Sequence, residues 1–69
     1  MVDTRKLKAL LVSSGYTQKD IASKLDLSTT AFFNKLHNIS EFTANEIGNL
    51  SNILNIVDKD EIFFAQYVE

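Results

Sequence analysis

The side chains with the most suggestive chemistry lie close together in the chain: Thr29, Thr30, Phe33 and Asn34. An Asn amide presents a donor and an acceptor side by side, so it can bond to two atoms of one planar group. A Thr side chain offers a hydroxyl and a methyl group. We expect these polar residues to face outward, whereas Phe33 either packs partly beneath a neighbouring helix or stays exposed. Such groups suit recognition of another molecule.

No set of residues has a spacing suited to catalysis or to holding a metal ion. The sequence contains no Cys, and His37 is its single His. Asp58, Asp60 and Glu61 form an acidic cluster, but their spacing and the lack of a Gly exclude a calcium loop. We interpret them as helix-capping groups, with Asp58 and Glu61 as a capping box. The sequence therefore predicts a protein that is not an enzyme and that needs no cofactor.

One local pattern recurs five times and predicts the helices that position these side chains. An apolar residue precedes a Ser, Thr or Asp, and a second apolar residue follows four positions after it, as in a hydrophobic staple around an N-cap. The predicted caps are Asp3, Thr17, Ser28, Thr43 and Asp58. No alternating pattern is long enough for a strand. We therefore expect a single all-α domain of five helices over residues 1–69.

The caps also set the expected helix boundaries. The predicted helices cover about 3–14, two helices within 17–37, a fourth from 43, and a fifth over about 58–67. Gly15 suits the end of the first helix, and Thr43 forms a capping box with Glu46. Ile39 and Phe42 follow the third helix, and we expect both to enter the core.

The second and third helices are joined by a tight corner at Asp26 and Leu27, which predicts a helix-turn-helix. Small Ala22 would let the two helices approach closely where they cross. The residues T-Q at 17–18, I-A-x-x-L at 21–25 and L-S at 27–28 make the sequence resemble the phage repressor and Cro class of helix-turn-helix proteins. The resemblance covers roughly residues 3–56.

This resemblance implies a compact lambda-repressor-like DNA-binding domain that regulates transcription in a phage or prophage lysis–lysogeny switch. Its third helix would read half-sites of double-stranded operator DNA in the major groove, as in this class of repressor. The expected base contacts are Thr29, Thr30, Phe33 and Asn34. The expected contacts to the DNA backbone are Thr17, Gln18, Lys19, Ser28, Lys35, His37, Asn38 and Ser40.

The sequence departs from the family pattern in three respects. Asp26 stands where Gly is common, although a short polar side chain tolerates the left-handed conformation that the turn needs. The late apolar residue of the third helix falls at Leu36, which leaves Lys35 at the position that is usually buried. The third helix also contains no Arg, so its reading face is not strongly cationic.

Charge is divided unequally along the chain. Residues 1–37 contain six basic and three acidic residues, whereas residues 38–69 contain one basic and six acidic residues. The whole chain has a net charge of −2. Since Lys and Arg supply most non-specific affinity for phosphates, the half with the predicted helix-turn-helix is the half suited to DNA.

The C-terminal segment is rich in large apolar residues: Phe63, Phe64, Tyr67 and Val68. One short helix has little room to bury all of them, so we expect an interface here, while the alternative is that they complete the core. The interface would join a homodimer or, as an alternative function, bind a phage repressor protein that this chain modulates. The apolar run at 9–12 is too short for a signal peptide or a membrane span, which predicts a soluble, intracellular protein. The resemblance to phage regulators implies a location in the bacterial cytoplasm at the nucleoid.

Overall fold

The computed structural model describes residues 1–66, and this part of the chain contains five α-helices and no strand. The helices are α1 Thr4–Ser13, α2 Gln18–Lys24, α3 Thr29–Leu36, α4 Ala44–Leu54 and α5 Lys59–Phe63. The predicted all-α class and the number of helices are therefore confirmed. None of these helices is long and apolar enough to span a membrane.

Each helix begins at its predicted cap, where a side-chain oxygen accepts the backbone N–H three residues later. The capping box of Thr43 and Glu46 is confirmed. Thr17 forms a second box, because the Asp20 carboxylate accepts the Thr17 N–H at 3.0 Å. The box predicted for α5 is incomplete, since the Glu61 carboxylate bonds to Lys6 instead of returning to the cap.

The predicted length of the fifth helix is wrong, because α5 ends at Phe63. After α5, the backbone of Ala65 forms hydrogen bonds with the start of the chain instead of continuing the helix. The Ala65 N–H donates to the Met1 carbonyl at 3.0 Å, and the Met1 amino group donates to the Ala65 carbonyl at 3.3 Å. The predicted end at residue 67 lies outside the described residues.

Every helix contributes side chains to one hydrophobic core. Its helical members include Leu7, Leu11, Ile21, Ala22, Phe32, Leu36, Leu50, Leu54, Ile62 and Phe63. Phe42 enters this core as predicted, and its ring lies edge-on to the rings of Phe32 and Phe63, with centroids 5.9 and 5.7 Å away. The α3–α4 loop is therefore held down by an aromatic cluster.

The expectation that Ile39 enters the core is wrong, since its side chain is 68% exposed. Asn38 has a φ of 62°, which reverses the chain at the end of α3. The Ile39 N–H then donates to the Asn34 carbonyl at 2.8 Å, a bond typical of a left-handed helix end. This tight turn leaves the Ile39 side chain in solvent.

The N-terminal segment ties the end of α3 to α5. The Asn38 side chain accepts the Val2 N–H at 2.7 Å and donates to the Val2 carbonyl at 3.0 Å. The Asp3 N–H donates to the Ile62 carbonyl at 2.7 Å. Two elements far apart in sequence are thus linked through the backbone of Val2 and Asp3.

Candidate nucleic-acid interface

The α2–α3 pair is built by local bonds and a shared core. Ile21 and Ala22 of α2 are fully buried, and the Leu27 N–H donates to the Ala22 carbonyl at 2.8 Å, which closes the corner. Asp26 adopts the left-handed conformation there, with a φ of 57°, as the sequence predicts. Ser28 then starts α3 by accepting the Ala31 N–H at 3.0 Å.

The buried side of α3 determines which residues face outward. Phe32 and Leu36 are completely buried, so the opposite side of the helix is free. Thr29 and Thr30 are exposed, and Asn34 is half-buried. The predicted polar face is therefore accessible along the first turns of α3.

Phe33 lies between these two sides of α3. Its side chain is 45% exposed, so the ring is covered in part only. The His37 ring lies one turn later, with its centroid 4.2 Å from that of Phe33 and its plane tilted by 38°. The pair forms an aromatic edge to the polar face, and His37 itself is half-buried.

Several residues predicted to contact the DNA backbone are available at the surface. Thr17, Lys19, Ser28 and Ser40 are exposed, and Gln18 is half-buried at the first position of α2. The hydroxyls of Thr17 and Ser28 accept a capping bond and keep their own proton to donate. These residues surround the start of α2 and the ends of α3.

Two other predicted backbone contacts already have protein partners. The Lys35 ammonium forms an ion pair with the Glu46 carboxylate, and the two side chains are 14% and 15% exposed. The stem of Lys35 is therefore largely covered, and its charge reaches the start of α4. Asn38 uses both polar atoms of its amide on Val2. Both side chains therefore support the fold in this structure, and their contact with the DNA backbone stays a prediction.

Two carboxylates near the candidate interface stay ionised well below neutral pH. Partial burial raises the pKa of Glu46, but hydrogen bonds from Lys35 and Thr43 and the Lys35 charge outweigh it, so the pKa lies below its ordinary value. Hydrogen bonds from Thr17 lower the pKa of Asp20. Asp20 therefore places a negative charge beside Lys19 on α2 and reduces the basic character of that surface.

The predicted C-terminal interface is only partly available. Phe63 is 4% exposed and belongs to the core, whereas Phe64 is 58% exposed. Tyr67 and Val68 lie outside the described residues. Phe64 borders a surface groove together with Met1 and Phe42, so an apolar surface is present at this end of the described chain.

A comparison with known proteins finds no matching family model, no matching curated protein and no matching solved structure. The function of this chain must therefore be inferred from its own residues and their arrangement.

Proposed function

We propose that this chain is a sequence-specific DNA-binding transcriptional regulator of a phage or prophage switch, similar to Cro. In this proposal the α2–α3 pair is a lambda-repressor-like helix-turn-helix. The main support is the division of α3 into two sides, with Phe32 and Leu36 buried and Thr29 and Thr30 exposed opposite them. A short helix docked in this way can enter a major groove without losing its core contacts.

The polar face of α3 suits A·T base pairs. The Asn34 amide can accept from the N6 amino group of adenine and donate to its N7, and a Thr methyl can contact the thymine methyl. Gln18 and Lys19 at the start of α2 would hold the phosphate backbone and fix the register. The proposed half-site is therefore rich in A·T pairs, and the protein would repress by occupying it.

Affinity must come largely from outside α3, because α3 contains no Arg. Arg5 and Lys8 on α1 and Lys19 on α2 are exposed cations that can add phosphate contacts. A single helix reads few base pairs, so two copies on a two-fold symmetric operator would supply useful specificity. Exposed Phe64 supports a dimer contact near the C-terminal end. The chain would act in the bacterial cytoplasm, without catalysis or a cofactor.

Fluorescence anisotropy with labelled DNA from the intergenic region beside its own gene tests the proposal. We expect binding that survives competition by unrelated DNA and weakens as salt rises. Asn34→Ala should lose about 1–3 kcal/mol of discrimination at one base pair. Lys19→Met should weaken all DNA equally and lower the salt slope by about 1. Absence of any sequence preference at micromolar protein would show the proposal to be wrong.

A second candidate function is binding to a phage repressor protein, which this chain would then modulate. It is favoured by exposed apolar side chains near the two ends of the described chain, since Met1 is 57% exposed and Phe64 is 58% exposed. A pull-down with the adjacent repressor, with Phe64→Ser as the variant, separates the two functions. Retention of the repressor by a chain that does not bind DNA would select this candidate.

A further inference from the structure

The ion pair between Lys35 and Glu46 is the main charged contact between α3 and α4. Both side chains are more than four-fifths covered. Lys35 differs in this respect from the exposed cations around the candidate interface. An ammonium held in this way has lost most of its water and is directed at one partner. Moving it to a phosphate would leave the Glu46 carboxylate partly buried without its cation, which is costly.

Glu46 is held as firmly as its partner. Its Oε1 atom accepts both from the Lys35 ammonium and from the Thr43 backbone N–H, the latter at 2.9 Å. The Thr43 hydroxyl in turn accepts the Glu46 N–H at 3.2 Å. The carboxylate is thus fixed to the first turn of α4, so Lys35 is tied to a rigid point of the framework rather than to a mobile side chain.

The ion pair of Lys35 with Glu46 affects the orientation of the polar face of α3. Lys35 directly follows Asn34, so the two side chains leave the helix about 100° apart. A rotation of α3 about its axis would change the Lys35–Glu46 contact and move Asn34 and Thr30 together. The buried pair and the outward face are therefore mechanically coupled through one short helix.

We propose that Lys35 and Glu46 are positioning residues, which fix the rotation of α3 and thereby the specificity of base reading, and that Lys35 does not contact phosphate. This inference rests on the proposed DNA-binding function and assigns a different role to a cation expected at the DNA backbone. A residue that orients a reading helix affects specific binding, whereas a phosphate contact affects specific and non-specific binding equally.

Lys35→Met and Glu46→Gln are the informative variants. Met keeps the apolar stem of Lys35, and Gln can still complete the capping box with Thr43. Lys59→Met and Glu61→Gln are matched controls, because both residues are exposed and lie on α5. Each variant is titrated with operator DNA and with unrelated DNA at several salt concentrations, after circular dichroism confirms that it is folded.

We expect Lys35→Met and Glu46→Gln each to weaken operator binding roughly tenfold relative to its control, with little change on unrelated DNA. The double variant should bind no worse than either single variant, because both changes remove the same contact. The salt slope of Glu46→Gln should equal that of the wild type.

A phosphate role for Lys35 predicts the opposite pattern and would overturn the inference. Lys35→Met would then weaken both DNAs equally and lower the salt slope by about 1. Glu46→Gln would free the ammonium and strengthen binding.

Failure of the proposed function can be told apart from failure of this inference by amide chemical shifts measured without DNA. A positioning role predicts that both variants shift the amides of residues 29–36 more than the two controls do. A wild-type chain that binds no DNA refutes the proposed function alone. Unchanged α3 amides refute the positioning role, whatever the DNA result, and Glu46→Gln provides this readout even if Lys35→Met does not fold.

Discussion

Two junctions of this small protein contain a Lys–Glu pair, and the two pairs have different roles. At the α3–α4 junction, Lys35 and Glu46 are 14% and 15% exposed. At the α1–α5 junction, the side chains of Lys6 and Glu61 are 51% and 52% exposed, and the Lys6 Nζ atom lies 2.8 Å from the Glu61 Oε1 atom. Both Glu residues stand three positions after a helix cap. The comparison shows that burial, rather than residue type or helix position, separates a structural ion pair from a solvated one.

The two junctions are also stabilised by different parts of the chain. The Glu46 carboxylate accepts hydrogen bonds from the Thr43 N–H at its own helix cap and from the Lys35 ammonium. The α3–α4 junction therefore depends on side chains. The α1–α5 junction depends on backbone bonds, because the Asp3 N–H donates to the Ile62 carbonyl and Ala65 pairs with Met1. Removal of a charged side chain should therefore lower the free energy of unfolding strongly at the α3–α4 junction and weakly at the α1–α5 junction.

Among the ion-pair variants, the largest effect should come from Lys35→Met, which leaves the Glu46 carboxylate partly buried without its cation. We expect a loss of about 2 kcal/mol in the free energy of unfolding, somewhat less than for a fully buried pair because Thr43 still bonds to the carboxylate. Urea denaturation measures it, with Lys6→Met as the matched control. A Lys35→Met protein as stable as that control would contradict the difference between the junctions.

A smaller loss should follow Asn38→Gly, which tests the link between α3 and the N-terminal segment. Gly keeps the positive φ of Asn38 but removes both bonds to Val2, so we expect a cost of about 1–2 kcal/mol. Asn38→Ala should cost more, because it adds the strain of a left-handed Ala. Equal urea midpoints for wild type and Asn38→Gly would show that this link adds no stability.

A fall in pH should remove the stability that the ionised Glu46 carboxylate gives to the α3–α4 junction. The pKa of Glu46 is lower in the folded protein than its ordinary value, so its contribution to stability is complete above the unfolded pKa of about 4.3 and is lost as pH falls through the folded pKa. Urea unfolding of wild type and Glu46→Gln from pH 7 to pH 3 isolates this effect from the other carboxylates. The stability difference should shrink as pH falls below about 4.3; a constant difference would rule out the ionised pair as its source.

The smallest effect should come from Glu61→Gln at the α1–α5 junction. The pair with Lys6 is half-exposed and screened by water and salt, so its removal should leave the urea midpoint close to that of the wild type. Measurement at low and at moderate salt provides the control. A clear destabilisation would mean that this pair, like the other, holds two helices together.

Much of the local structure was predictable because it depends on neighbouring residues. The cap at Ser28 and the turn at Asp26 are set within one or two turns of chain, and both form as predicted. The buried side of α3 followed from the spacing of Phe32 and Leu36. The polar face of α3, the centre of the candidate site, was predictable for the same reason. Its role in reading DNA stays a prediction.

The sequence by itself determined five capped helices, an α2–α3 corner and an outward polar face, because short-range hydrogen bonds and apolar spacing fix them. Only the tertiary structure decided the partners of Lys35, of Asn38 and of the residues after α5. Lys35 bonds to Glu46 eleven positions away and Asn38 to Val2 thirty-six positions away, while Ala65 reaches Met1. Such partners depend on how the helices pack around the shared core, and no local pattern specifies that packing.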